Sequence, residues 1–436
     1  MQKNLKKPPS VRIADADPEC LFSSGLEYNP PARGMWNIVQ MGMLIPGAHQ
    51  IYGCAQGCLR GVILTAAEMN ALERLSWISL TEEDMFNGTL EESLIDGTAE
   101  IVDRLEQHPP VVLLFLSCMH LFAGCDFDAV IAALSERFPD ITFVDCYMTP
   151  TMRETLPPVV QTCRQMYLPL QPLPKNPKAV GIIGNDRPTD ESSELVQIIR
   201  GAGFTLRDLT LCKTYEEYLQ LAECSLNITY LPTASGAAEL LRERFDTPSL
   251  YLPNSFDYDE ITAHYQTLCD ALGIPCPDFS ADIAAADAAL DALKQTLGDM
   301  PAAIDYTFVS RPFSLAVLLL KHGINVKYLI ADTVGEESAA FAWLQQNFPA
   351  LTILAPANVN MLHHHTDAAE PLLAFGQKAA YYFASDHFVN LILNGGYYGF
   401  SGIRAIAALA ADACRTPKDR RALLRHKGFG CASCLL

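Results

Sequence analysis

The sequence predicts an α/β protein of three Rossmann-like, doubly wound parallel-sheet domains. Three observations carry that expectation. Strand and helix patterns alternate through the middle of the chain, the alternation resumes after a helical connector, and the composition can fill large cores. Half of the 436 residues are hydrophobic and 19% are charged, which excludes a disordered chain. Short apolar runs at 178–183, 204–209, 226–231 and 249–252 read as strands, and the spacing of apolar residues at 192–203, 215–224, 237–245 and 258–272 reads as helix. Such a rhythm implies a parallel sheet with helices on both faces.

After an Ala- and Asp-rich helical connector (281–298), strands are expected at 305–310, 326–330, 351–354 and 379–383. Helices are expected at 314–322, 336–348 and 402–414. Ahead of residue 176 the pattern is less regular, but 111–116 and 142–146 read as strands and 129–138 as a helix. The predicted domains are 1–175, 176–299 and 300–436, with boundaries in the Pro-rich stretch 168–177 and at Met300-Pro301.

Charge narrows the function classes. Lys and Arg number 31 against 50 Asp and Glu, a formal net charge of −19. That balance argues against broad binding to nucleic acid or an anionic membrane surface. No apolar run reaches the ~18 residues of a membrane span, and the basic stretch at the start lacks the apolar region of a signal peptide. A cytoplasmic protein is expected. In that compartment the 14 cysteines read as metal ligands, redox groups or buried thiols rather than as a disulfide framework.

Ligands of such folds collect where strands end, and four segments therefore stand out. In Gly53-Cys54-Ala55-Gln56-Gly57-Cys58, two thiols four residues apart are flanked by glycines that let the backbone approach a metal centre. The competing reading is one buried and one incidental cysteine. Cys118 follows the most apolar strand of the chain, as a ligand or as a core residue. Asp386-His387, after the strand expected at 379–383, forms an acid–base pair placed to deliver protons; the alternative is a helix cap. Cys431-Ala432-Ser433-Cys434 follows a basic stretch and has the spacing of a metal or dithiol site, against the alternative of a tail that holds nothing. The fragment Gly181-Ile182-Ile183-Gly184 lacks the remainder of a dinucleotide fingerprint, and no Walker A sequence occurs.

Taken in order, Gln56-Gly57-Cys58, Asp84-Met85-Phe86-Asn87-Gly88, Leu116-Ser117-Cys118, Gly124-Cys125-Asp126, Leu226-Asn227 and Gly396-Tyr397-Tyr398-Gly399-Phe400 resemble the component 1 superfamily of nitrogenase. The resemblance spans nearly the whole chain. It implies an iron–sulfur cluster held between subunits of a homodimer, or of a heterodimer with a related component 1 chain. It implies electrons delivered by a separate P-loop ATPase iron protein, and a bound substrate or further metal cofactor in the cleft between the layers. Two family thiolate positions match Cys58 and Cys118. The neighbourhood of a third reads Asn29-Pro30-Pro31-Ala32-Arg33, so Cys54 is the candidate substitute, ahead of Cys20, and a single [4Fe–4S] cluster is expected, held by Cys58 and Cys118 of both protomers or by Cys54, Cys58 and Cys118 with one ligand from a partner. Cys431 and Cys434 stand as ligands of an accessory centre. The Cys and His that hold the nitrogenase active-site cofactor fall at Leu231 and near Val389, so a dinitrogen-reducing molybdenum-cofactor subunit is not expected. The function implied is a nitrogenase-like reductase subunit, with Asp386 and His387 as proton donors. The alternative is a scaffold or carrier on which a metal cluster is assembled.

Overall fold

The computed structural model describes residues 9–23, 25–30, 32, 38–149, 158–364 and 371–427. Its strands are β1 (Ser10–Arg12), β2 (His49–Cys54), β3 (Leu75–Ser79), β4 (Val111–Ser117), β5 (Thr142–Met148), β6 (Asn176–Ile182), β7 (Thr205–Asp208), β8 (Cys224–Thr229), β9 (Ser249–Tyr251), β10 (Ala302–Asp305), β11 (Val326–Ile330), β12 (Thr352–Leu354), β13 (Leu373–Phe375) and β14 (Phe388–Val389). They form three sheets, ordered β3-β2-β4-β5, β7-β6-β8-β9 and β1-β12-β11-β10-β13-β14. Every pairing is parallel except that of β1 with β12. The expected α/β architecture with three parallel sheets is thus what the chain adopts.

Alternation along the strands builds the layers. In the first sheet Tyr52, Val111, Leu113 and Phe115 pack with Leu59 and Val62 of the helix Gln56–Glu68, whereas Ile51, Val112 and Leu114 pack with Leu94 and Val102 of the helix Leu90–Arg104. Strands covered on both faces carry apolar residues at every position, which is why all seven residues of β4 are buried. The first and second layers share one hydrophobic cluster, and the second and third share another.

Residues 396–400 join the second and third layers. The carbonyl of Gly396 accepts the Asp190 N–H at 2.9 Å and that of Tyr397 accepts from Asn254 Nδ2 at 3.1 Å. Buried Glu194 accepts from the Ser401 N–H at 2.9 Å and from Tyr265 Oη at 3.0 Å. The two glycines permit this approach, since a Cβ at Gly396 would lie 2.2 Å from the Pro188 carbonyl oxygen and one at Gly399 would lie 1.8 Å from Tyr265 Oη.

Two expectations shift in register. The strand expected at 305–310 ends earlier, as Ala302–Asp305, and 379–382 of the apolar run 379–383 lie in the helix Gln377–Tyr382. The reason for the second lies in Gly376, whose φ is +106°, and in Asp305, whose Oδ2 accepts the Ala379 N–H at 2.9 Å and so satisfies a donor of the first helical turn. No described helix is long and apolar enough to cross a membrane.

Gly376 combines a φ that side chains reject with a packing limit, because an added Cβ would lie 2.2 Å from Asp305 Oδ2. Gly376→Ala should lower the unfolding free energy by about 3 kcal/mol or more. Chemical denaturation followed by circular dichroism measures this, and a variant as stable as the parent would show that the turn has another conformation.

Candidate functional site

Each sheet has one point where the strand order reverses: between β2 and β4, between β6 and β8, and between β10 and β13. Ligand sites of doubly wound sheets lie in the crevice outside the carboxyl ends at these points. The cysteines singled out in the sequence border the first of them. β2 pairs with β4 so that Gly53 stands opposite Leu116. Cys54 ends β2, and Cys58 is the third residue of the following helix Gln56–Glu68. Cys118 opens the short helix Cys118–Ala123 directly after β4. The fold therefore delivers Cys58 and Cys118 to one sheet edge from adjacent strands.

Their environments differ. Cys58 is exposed and Cys118 half-buried, while Cys54 is wholly buried in the core beside Tyr52. Burial, with a smaller contribution from the neighbouring Cys58, pushes the Cys54 thiol up to about 12. The helix Gln56–Glu68 begins at Ala55 without a side-chain cap, and the Cys58 N–H donates to the Ala55 carbonyl at 3.0 Å; the start of a helix favours an anionic group. The space beside Gly57 is open, with no atom within 4 Å of a Cβ placed there. Among the described residues no three His, Cys, Asp or Glu side chains converge to hold a metal ion.

The neighbouring motif residues shape this edge. His120 is fully buried and its Nδ1 accepts the Ser117 N–H at 3.1 Å, which fixes the turn that presents Cys118. Burial lowers its basicity, and its Nε2 has no hydrogen-bond partner among the described residues. Asp84 closes a capping box with Thr81, receiving the Thr81 N–H at 2.8 Å, and those hydrogen bonds hold its carboxyl below the usual range. The same short helix exposes Phe86 to 91%, and Phe122, four residues after Cys118, is 70% exposed. Asp126 caps the helix Phe127–Arg137 through the Ala129 N–H at 3.0 Å.

The other two edges hold polar groups of their own. Beyond β6 and β8, Asn185 Nδ2 donates to Tyr230 Oη at 2.8 Å, both residues buried. Beyond β10 and β13, buried Lys378 donates to Tyr306 Oη at 2.6 Å, and Gln377 Nε2 donates to Asn390 Oδ1 at 2.6 Å. The signal for Lys378 was the Gly376-Gln377-Lys378 turn, hidden by placing the strand one element too late. Leu231 and Val389 are buried aliphatic residues that offer a metal no donor atom.

Asp386 and His387 do not follow a strand end. They precede β14, at the opposite edge of the third sheet. His387 Nδ1 donates to the Ala413 carbonyl at 2.9 Å, and Asp386 pairs with Arg420 at 3.4 Å. Both are engaged in holding the helix Gly399–Arg415 and the segment after it, which corrects their expected place at the cleft. Cys431 and Cys434 lie outside the described residues.

A family model described as nitrogenase component 1 type oxidoreductase matches residues 38–416. Among curated proteins no match is found. Among solved structures, nitrogenase Cp1 at pH 6.5 is similar with a TM-score of 0.66 at 13% identity, over 92% of this chain and 96% of that one. Nitrogenase Cp1 at pH 5 gives 0.63 at 14% identity, over 94% of each chain. At such identities the likeness is one of fold.

The contrast between the two N-terminal thiols is measurable. Alkylation of the native apoprotein at pH 8 should label Cys58 at least ~1000-fold faster than Cys54, because a thiol with a pKa near 12 is about one part in 10⁴ thiolate at that pH and this one is also enclosed. Peptide mapping by mass spectrometry reads the rates, and equal labelling would refute the burial of Cys54.

Proposed function

Because the chain belongs to the nitrogenase component 1 type oxidoreductase family, we propose that it is a reductase subunit holding an iron–sulfur cluster against Cys58 and Cys118. The cluster lies where this chain meets a second component 1 chain. An ATP-dependent iron protein delivers the electrons, and the substrate occupies the crevice at the carboxyl edges of the three sheets. The observation that carries this reading is the delivery of Cys58 and Cys118, from adjacent parallel strands, to the one edge of the first sheet where the strand order reverses.

The residues present suit such a group. Two accessible thiols, an uncapped helix start and open space at Gly57 match an anionic cluster with thiolate ligands. When bound, the cluster supplies one-electron transfer at low potential. Cys58 and Cys118 bind it as thiolates. Ser117 and His120 orient the Cys118 turn, and the apolar residues of β2 and β4 exclude water from behind. A [4Fe–4S] cubane needs four thiolates, so two from each protomer of a symmetric dimer complete one. Phe86 and Phe122, exposed near the same edge, supply apolar surface for that contact.

Anaerobic purification with iron and sulfide quantification, and EPR of the reduced protein, tests the reading. Cys58→Ala and Cys118→Ala should each abolish cluster binding, with the circular dichroism spectrum unchanged. Full iron content in both variants would overturn the assignment. Transfer of the intact cluster to an apo-acceptor, without turnover driven by the iron protein, would make the chain an assembly scaffold instead.

A further inference from the structure

The helix Tyr258–Leu272 gives way to the helix Ser280–Leu297 through a short turn, and two cysteines meet there. We propose that Cys269 and Cys276 form a reversible dithiol site, which takes a low-molecular-weight disulfide as oxidant and closes to an internal disulfide. The site involves neither Cys58 nor Cys118 and does not rest on the reading above.

The turn brings the thiols together. Gly273, at φ +67°, ends the first helix, and the Ile274 N–H donates to the Cys269 carbonyl at 3.0 Å. That closure folds the chain back over the residue carrying the first thiol. Pro275 and Pro277 flank Cys276, which leaves its backbone little freedom. At the far end of the turn, Asp278 Oδ1 accepts the Ser280 N–H at 3.1 Å, and Phe279 packs on Tyr265 with ring centroids 4.9 Å apart. Both cysteines belong to one hydrophobic cluster, Cys269 in its buried core and half-buried Cys276 packed against it. Their side chains are hydrogen-bonded to each other, and both are free thiols. Two thiols in contact on a turn anchored at both ends need only a short approach to bond.

Access sets the order of events. Burial, and after it the hydrogen bond to Cys276, pushes the Cys269 thiol up to about 12, so half-buried Cys276 meets the oxidant first. Its thiolate attacks one sulfur of the oxidant RS–SR, forms a mixed disulfide Cys276–S–S–R and releases RS⁻, which takes up a proton. Cys269 then loses its proton to solvent and attacks the Cys276 sulfur, displacing the second RS⁻. The two thiols are oxidised by two electrons, and the oxidant is reduced to two RSH. In a reducing compartment the pair stays open. Once closed, the bond ties together two helices that both pack on Gly399–Arg415. The first of them carries Tyr265, which donates to Glu194 at 3.0 Å. Oxidation therefore stiffens the seam between the second and third layers.

Tryptic mapping of the full chain tests this directly, because both residues fall on the peptide 245–294, which holds no other cysteine. After incubation with oxidised glutathione at pH 8, with the circular dichroism spectrum unchanged, that peptide should be two hydrogens lighter and closed to alkylation. It should open again with dithiothreitol, and it should exceed its glutathionylated form by at least about tenfold. In C269S the same peptide should instead carry glutathione on Cys276, and in C276S it should stay unmodified. A parent peptide that keeps two free thiols after the exposed Cys58 has taken up glutathione, or one that holds glutathione on Cys276 without the internal bond, overturns the proposal.

Discussion

The parallel pairing of β2 with β4 is the constraint on which the candidate site depends. Neither strand has a free face, and the register Gly53 to Leu116 sets which residues emerge together at the carboxyl edge. Gly53 is part of that constraint, since a Cβ there would lie 2.4 Å from Leu94 Cδ2 and push the helix Leu90–Arg104 off the sheet. A slip of one residue in this pair would turn every core side chain to the wrong face. The position of two thiols far apart in sequence is therefore fixed by the burial of about a dozen apolar side chains rather than by anything local to the thiols.

The second and third layers are held together by a different device. Glu194 stays buried because the Ser401 N–H and the Tyr265 hydroxyl donate to its oxygens, and burial shifts its carboxyl toward the neutral form. The rings of Tyr230 and Tyr398 pack at a tilt, centroids 5.1 Å apart, between the same layers. The segment 396–400, which the sequence suggested as a family signature, thus serves here as a hinge plate between sheets: its glycines are needed for close approach, and its tyrosines fill the seam.

How much of this was legible in the sequence depended on the local signal. The second layer was read almost completely, because its strands are short apolar runs separated by amphipathic helices. β2 was not read as a strand, since His49, Gln50 and Gly53 break the apolar run. Its polar groups find partners: His49 bonds to Ser76 of β3 at 2.9 Å, and Gln50 Nε2 donates to the Val39 carbonyl of the helix Ile38–Gly42 at 2.9 Å. The run 379–383 has strand composition, yet most of it becomes helix because a turn at Gly376 and a carboxylate 74 residues earlier than Ala379, at Asp305, decide its start. Only tertiary structure carries that information. Among site residues, Cys58 and Cys118 were found from their motifs. Lys378 and Tyr306 carried no pattern of their own and became visible only when the strand order placed them at a reversal point.

One feature of the third sheet bears on how the protein is made. β1 pairs with β12, residues 10–12 against 352–354, and Ile13 behind it is fully buried. A ribosome adding about 5–20 residues per second needs roughly 20 to 70 s to go from one to the other. For that interval β1 has no docking place, while the first two layers can already form. Closure of this sheet edge therefore follows the folding of the layers encoded between its two strands.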